Sequence, residues 1–351
     1  MGLKVRALLA LLGGLSAAPA ILAAASAPAE PGATACQPPS PPLSEAQRKF
    51  HPGHYVSIPR AEAPNGFSAA LAKGITGVQM RYRWVELEPE QDHYQFAAIA
   101  RDLAAAKSAG MQLVVLIEDK TFVDEVPTPA YLADKYTVRN NSHGFSTLRW
   151  DPYVVDRLER LTASLGAQFD CDPNFEGVGF QESSTGLDDA AMDTHGYTPE
   201  KYRDALISVL RSAATSVPRS RVFWYMNFLP RNQHYIGDIA NAVVGTGVVM
   251  GGPDILPDSP PLQRLVYPYY DQFQGRLKLF NSMQHNSYRH RHGGKASGGD
   301  YWSMEDLFLF ARNKLHVDYL FWDHHTQRVP PDSHNWDDAR EVIARHPAFS
   351  P

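Results

Sequence analysis

Several carboxylates in this 351-residue chain stand where an apolar run breaks off. In FEGVGFQESSTG, Phe175 to Gly186, the run ends at Gln181-Glu182 and passes into Ser, Thr and Gly. An acid in that place either terminates a strand or does chemistry. A Glu emerging from an apolar strand is partly desolvated, which raises its pKa toward the range where it can donate a proton. Acid–base chemistry also needs a second group. VVLIEDKTF offers Glu118 and Asp119 at the end of another run, GVVMGGPDILPD offers Asp254 after a Gly-Gly-Pro turn, and YLFWDHHTQ offers Asp323. Gly251 and Gly252 allow close backbone approach to a ligand, so Asp254 is the preferred partner of Glu182. The plainer readings are a turn residue after Pro for Asp254, and an ion pair to Lys120 or Arg81 for Glu118 or Asp119. Adjacent residues on a strand point to opposite faces, so Asp323-His324-His325 does not converge on one ion. No metal or other cofactor is expected.

The elements that must position these groups alternate regularly. Strand-like runs fall at His54–Ile58, Gly77–Tyr82, Gln112–Ile117, Gly177–Gln181, Val222–Asn227, Gly247–Met250, Leu277–Met283 and Val317–Trp322. Most are short and apolar on both sides, as strands of a parallel sheet covered on both faces should be. Helical spacing lies between them. Phe96–Ser108 ends near Gly110. Tyr153–Leu165 begins after Asp151-Pro152 and ends at Gly166. Thr198-Pro199 opens another helix, and Ser303 caps Ser303–Lys314. Eight strands with helices between them predict an α/β fold, a single-domain (β/α)8 TIM barrel over residues 51–351. No Gly-rich phosphate loop follows an early strand, which counts against an open doubly wound sheet.

Residues 1–27 read as a signal peptide: Lys4 and Arg6 precede a Leu/Ala-rich run that closes on Ala25-Ser26-Ala27. Residues 28–50 form a Pro/Ala-rich leader, expected to be flexible or extended. The chain is therefore expected to be secreted or periplasmic, and no later stretch is long and apolar enough to cross a membrane. Two cysteines, Cys36 and Cys171, are candidates for one disulfide between leader and body. A formal net charge of -5 argues against a general nucleic-acid binder.

GVQMRYRWVELEPEQDHYQFAAIARDLAAAKSAGMQLVVLIED, Gly77 to Asp119, resembles part of the clan-A glycoside hydrolase barrels. Arg81, Trp84, Leu87-Glu88-Pro89 and Tyr94-Gln95-Phe96 match an element that follows the second strand there, with Asp92-His93 where Gly is usual. PYVVDRLERLTASLGAQFDCDPNFEGVGFQES, Pro152 to Ser183, resembles the helix and fourth strand that end in an Asn-Glu pair. Beyond Ser183 the resemblance rests on strand count. It implies that Glu182 is the general acid/base and that Gln181 bonds a sugar hydroxyl. It also implies a second Glu at the end of strand seven, but LKLFNSMQHNSYRH contains no carboxylate. Asp254 is then the preferred second carboxylate, with Glu118, Asp119 and Asp323 as alternatives.

Arg81, Gln181, Asn227, Gln284 and Trp322 are expected to position the sugar, with Trp322 as an aromatic floor; Trp224 reads as core. NSYRHRHGGKASGGD, Asn286 to Asp300, is basic and Gly-rich, which suits a solvated loop or contact with an anionic sugar. The expected function is a secreted glycoside hydrolase acting on an oligo- or polysaccharide. The alternatives are an exported carbohydrate-binding protein on a degenerate barrel, or a lyase or transglycosylase.

Overall fold

Short runs of Val, Ile, Leu and aromatics form eight strands: β1 (Gly53–Ile58), β2 (Ile75–Arg83), β3 (Gln112–Glu118), β4 (Phe175–Phe180), β5 (Arg221–Tyr225), β6 (Val248–Gly252), β7 (Lys278–Met283) and β8 (Tyr319–Asp323). Each pairs in parallel with its neighbours in chain order, and β8 pairs with β1 from Gly53 opposite Tyr319 to Ser57 opposite Asp323, so the sheet closes into a barrel. The computed structural model describes residues 35–58, 73–294 and 298–348. The expected signal peptide, residues 1–27, and the leader as far as residue 34 lie outside the described residues. All eight strands start and end within two residues of their sequence expectation. A short antiparallel hairpin, Thr137–Arg139 with Phe145–Thr147, is an addition that its length kept from view.

Alternation along each strand divides the core in two. Tyr55, Leu116, Phe223, Tyr225, Phe280 and Phe321 fill the barrel interior. Val56, Met80, Val115, Val178, Trp224 and Trp322 face outward under the helices. Inside, the Phe223 ring meets Phe280, Tyr319 and Phe321 edge-on at centroid distances of 5.6, 5.2 and 5.4 Å. Each such pair contributes on the order of 1 kcal/mol beyond the area it buries.

The longer helices are α1 (Ala97–Ser108), α2 (Pro152–Phe169), α3 (Pro199–Ser216), α4 (Tyr235–Ala242), α5 (Met304–Asn313) and α6 (Trp336–Arg345). The caps read from sequence are present: Asp151 accepts from the Tyr153 amide, Thr198 from Lys201 and Ser303 from Asp306. One boundary was misread. Gly166 does not end α2, which continues to Phe169. A Cβ at Gly166 would lie 2.0 Å from the Ser216 carbonyl, so this glycine permits close packing on the end of α3.

From Ala35 to Phe50 the leader is fastened to the N-terminal end of the barrel. Cys36 and Cys171 form a disulfide, the Cys36 amide donates to the Ala167 carbonyl at 2.7 Å, and Arg221 pairs with Glu45. Phe50 packs against the interior cluster, with its ring 5.7 Å from that of Tyr319. The leader expected to be flexible or extended runs largely without helix or strand over this stretch, and covalent, ionic and apolar contacts hold it to the barrel.

The Leu87-Glu88-Pro89 element has a structural role. Glu88 is fully buried, accepts from Trp84 Nε1 at 2.9 Å and from the Asp92 amide at 3.0 Å, and forms an ion pair with Arg157 of α2. Asp92 has φ 62°, a left-handed conformation that Asp tolerates better than most residues. This explains why Asp substitutes for the usual Gly, and its carboxylate bonds Arg157 at 2.8 Å. Removing one partner of a buried pair leaves an uncompensated charge. Glu88→Ala is expected to cost about 3 kcal/mol of stability, read as a lower urea midpoint; an unchanged midpoint refutes the structural role.

Candidate active site

At the C-terminal mouth of the barrel, Arg81, Gln181, Glu182, Tyr225, Asp254 and Asp323 converge on a cavity of about 440 Å³. Leu116, Phe122, Pro253, Gln284, His285, Asn286 and Arg289 complete its wall. Alternation places several of these groups. Asp323 lies two residues beyond the interior Phe321, Gln284 follows Phe280 and Ser282, and Glu118 follows Val114 and Leu116. Glu118 and Asp323 are the last inward positions of their strands, and Gln284 continues the inward parity one residue past β7.

Glu182 comes one residue later, where β4 has ended, and its backbone is anchored instead by neighbours. Arg149 donates to the Glu182 carbonyl, Tyr202 donates to the Ser183 carbonyl at 2.8 Å, and the Ser183 amide bonds the Tyr225 carbonyl at 3.0 Å. The Ser183 hydroxyl accepts from the Asn227 amide at 2.7 Å. The Glu182 carboxylate forms an ion pair with Lys120 at 2.7 Å and accepts from Asn227 Nδ2. Lys120 is itself buried and also donates to the Ser184 carbonyl at 2.8 Å.

Asp254 has different surroundings. Burial, followed by the nearby negative charges of Glu182 and Asp323, pushes its carboxyl up to about 7, against opposing contributions from Asn286 and Arg289. Its Oδ1 is buried without a hydrogen-bond partner. Arg81 lies between Glu118 at 3.9 Å and Asp323 at 3.6 Å. Burial raises the pKa of both acids, and the guanidinium works against it. Gln181 Nε2 donates to Glu118 at 3.2 Å. Tyr225 joins the floor through its hydroxyl, which bonds Gln79 and Ser282; burial pushes this phenol up to about 12.

Of the second carboxylates offered by the sequence, Asp254 and Asp323 line the cavity with Glu182. Glu118 stands behind Gln181 and Arg81. Asp119 is excluded from the cavity. It is buried and chelated by Arg149, so it acts as a strut for the Glu182 backbone. The ion-pair reading held for this residue, but with a partner 30 positions away. Among the residues expected to hold sugar, Arg81, Gln181 and Gln284 line the cavity, while Asn227 orients Glu182. Trp322 must be corrected. It is fully buried on the outward face of β8, stacks on Phe308 of α5 and donates to His54 Nδ1 at 3.0 Å. Alternation decides this, because Phe321 and Asp323 take the inward positions. Trp224 is likewise in the outer core.

The aromatic surface at the mouth is Phe122, which the sequence reading passed over. It is 52% exposed, lines the cavity and lies under Lys120 Nζ at 4.8 Å. Its position two residues after Glu118-Asp119-Lys120 was the available signal. Among the described residues, no group of three or more His, Cys, Asp or Glu is placed to hold a metal ion, and no helix is long and apolar enough to cross a membrane.

No family model matches the chain, and no curated protein matches it by sequence. Solved structures do match. The catalytic domain of the β-amylase from Paenibacillus polymyxa aligns over 86% of this chain and 100% of its own, with TM-score 0.56 and 10% identity. A GH5_18 protein from Streptomyces cattleya, solved in complex with GlcNAc, aligns over 86% of this chain and 82% of its own, with TM-score 0.56 and 13% identity. A β-galactosidase from Marinomonas ef1 aligns over 83% of this chain, which spans 59% of that protein, with TM-score 0.55 and 9% identity. At these identities the likeness is one of fold: the chain is a (β/α)8 barrel whose structural neighbours are glycoside hydrolases of the kind that the Trp84 to Phe96 element resembles.

Proposed function

We propose that the protein is a secreted glycoside hydrolase that cleaves an oligo- or polysaccharide with Asp254 as proton donor and Glu182, paired with Lys120, as the second carboxylate. The observation that carries this reading is the unequal pair at the mouth. Asp254 is pushed up to about 7 with one carboxyl oxygen unpaired, while Glu182 is engaged by an ammonium and a carboxamide donor. Two acids whose surroundings differ in this way divide into donor and acceptor. Asp254 gives its proton to the glycosidic oxygen as the bond to the anomeric carbon breaks. Glu182 stabilises the positive charge that develops on the sugar, and water adds its hydroxyl to the anomeric carbon and returns a proton to Asp254. The roles are exchanged relative to the sequence expectation. That expectation rested on desolvation of Glu182 and took no account of Lys120.

Arg81, Gln181, Gln284 and Tyr225 offer polar contacts to hydroxyls, and Phe122 offers a ring face to sugar C–H groups. Export is supported by the N-terminal sequence and by the Cys36–Cys171 disulfide, a bond that persists in oxidising compartments. The carbohydrate-binding alternative has one observation in its favour: β7 and the residues on either side of it, Leu277 to His290, contain no carboxylate. Binding of a glycan without release of reducing ends over long incubation would select it.

On a polysaccharide panel, Asp254→Asn and Glu182→Gln are each expected to lower turnover at least about a hundredfold. Wild-type turnover in either variant would sink the assignment. Hydrolysis should fall as pH rises through about 7, where Asp254 loses its proton; a rate still rising at pH 9 is incompatible with it.

The donor also weakens the fold at high pH. Its folded pKa is raised above the ordinary 3.8, so its contribution to stability is complete below that value and is lost as pH rises through about 7. At roughly 1.4 kcal/mol per pK unit the loss is a few kcal/mol. Asp254→Asn should therefore raise the melting temperature at pH 8 and leave it nearly unchanged at pH 4. Equal shifts at both values would show that Asp254 is not protonated in the folded protein near neutrality.

A further inference from the structure

The mouth cavity does not end at Asp254. A second cavity of about 340 Å³ adjoins it, and Asn286 and Arg289 line both. The two differ in charge. Glu182, Asp254 and Asp323 border the first, whereas among the described residues no carboxylate borders the second, whose wall includes Leu256, His290, Arg291 and Tyr301.

Nearly every cation in these walls is already engaged. Arg81 pairs with Glu118 and Asp323, and His290 with Asp258. Arg291 pairs with Asp332 at 2.9 Å, bonds the Tyr301 hydroxyl at 2.7 Å and covers that ring at 3.8 Å. Arg289 is the exception. It is half-buried, donates to Asn286 Oδ1 at 3.0 Å and forms no ion pair among the described residues. A guanidinium with free N–H groups at the junction of two cavities matches a planar carboxylate in two-point geometry. A neutral sugar would leave that charge half-desolvated and uncompensated.

We propose that the second cavity is a subsite for an acidic sugar, a uronate whose carboxylate pairs with Arg289 next to the residue held at Asp254 and Glu182. The proposal rests on the glycosidase reading for what lies in the first cavity, but its own content is a binding preference. The gradient between the cavities suits such a substrate. The acidic substituent is kept away from three carboxylates, and the sugar to be cleaved occupies the electron-rich end, where positive charge develops.

The test is calorimetry on the full chain with oligogalacturonate, oligomannuronate and a glucuronate–hexosamine tetramer, each beside its carboxyl-reduced counterpart, with a sulfated galactan tetramer as a further probe. The wild type is expected to bind at least one uronate probe about tenfold or more tighter than its reduced form. Arg289→Gln should abolish that difference while retaining the affinity for the reduced form, and Arg289→Lys should restore part of it. Failure of every uronate probe to bind, equal affinity for a probe and its reduced form, or discrimination that survives Arg289→Gln overturns the proposal. Tighter binding of the sulfated tetramer than of any uronate overturns the choice of carboxylate. Uronate preference without release of reducing ends would leave the subsite standing and defeat the hydrolase reading; cleavage of neutral glycans without such preference would do the reverse.

Discussion

Alternation around a closed ring is the constraint on which the site depends. Every second residue of a barrel strand must face inward, and the interior holds only a few large side chains before it is full. Phe223, Phe280, Tyr319 and Phe321 fill the middle, so the next inward position on each strand has side chains below it and open mouth above. A polar group there is desolvated from beneath and still reaches a ligand. Arg81, Glu118, Tyr225 and Asp323 occupy such positions, and Gln181 and Gln284 continue the same parity one residue past β4 and β7. The same rule sends Trp224 and Trp322 outward, where burial against helices is their whole role.

Positions past the strand ends lack this support and need struts. Glu182 is the clearest case. Asp119 and Arg149 form a buried pair with no opening to the cavity, yet Arg149 extends from it to the Glu182 carbonyl. Replacing such a pair by apolar residues often costs little stability. What it provides here is direction: a loop carbonyl fixed by a guanidinium that is itself fixed by two carboxylate bonds. Tyr202 and Asn227 fix the adjacent residue in the same way. A carboxylate proposed to face the charge developing on a sugar needs such positioning more than it needs stability.

The barrel was legible because its signal is periodic and local. Eight apolar runs of strand length, with caps such as Asp151, Thr198 and Ser303 between them, leave few alternatives. The residues at the mouth were partly legible for the same reason, since a polar residue ending an apolar run is a visible event. Contacts between distant elements carried no such signal. Nothing near Asp119 in sequence announces Arg149, and nothing near Glu182 announces Lys120. Trp322 shows an error that was avoidable. Tyr319, Phe321 and Asp323 share one parity, so an inward Asp323 already implied an outward Trp322.

The absence of a carboxylate on β7 has a packing context. At the level of Gly251, β6 cannot carry a side chain: a Cβ there would lie 2.1 Å from the Phe280 carbonyl and 2.5 Å from its ring. The two residues are paired across the strands, so the Phe280 ring fills volume that Gly251 leaves free. The chain of β6 thus rises close against β7 and continues through Gly252 and Pro253 to Asp254. The second acid accordingly reaches the cavity from β6, beside the amide of Gln284 on β7. Moving the acid by one strand also changes its neighbours. Just past β6 it is buried, and burial first, then the like charges of Glu182 and Asp323, raise Asp254 toward neutrality. The position of Asp254 beyond β6 and its raised pKa therefore share one structural origin.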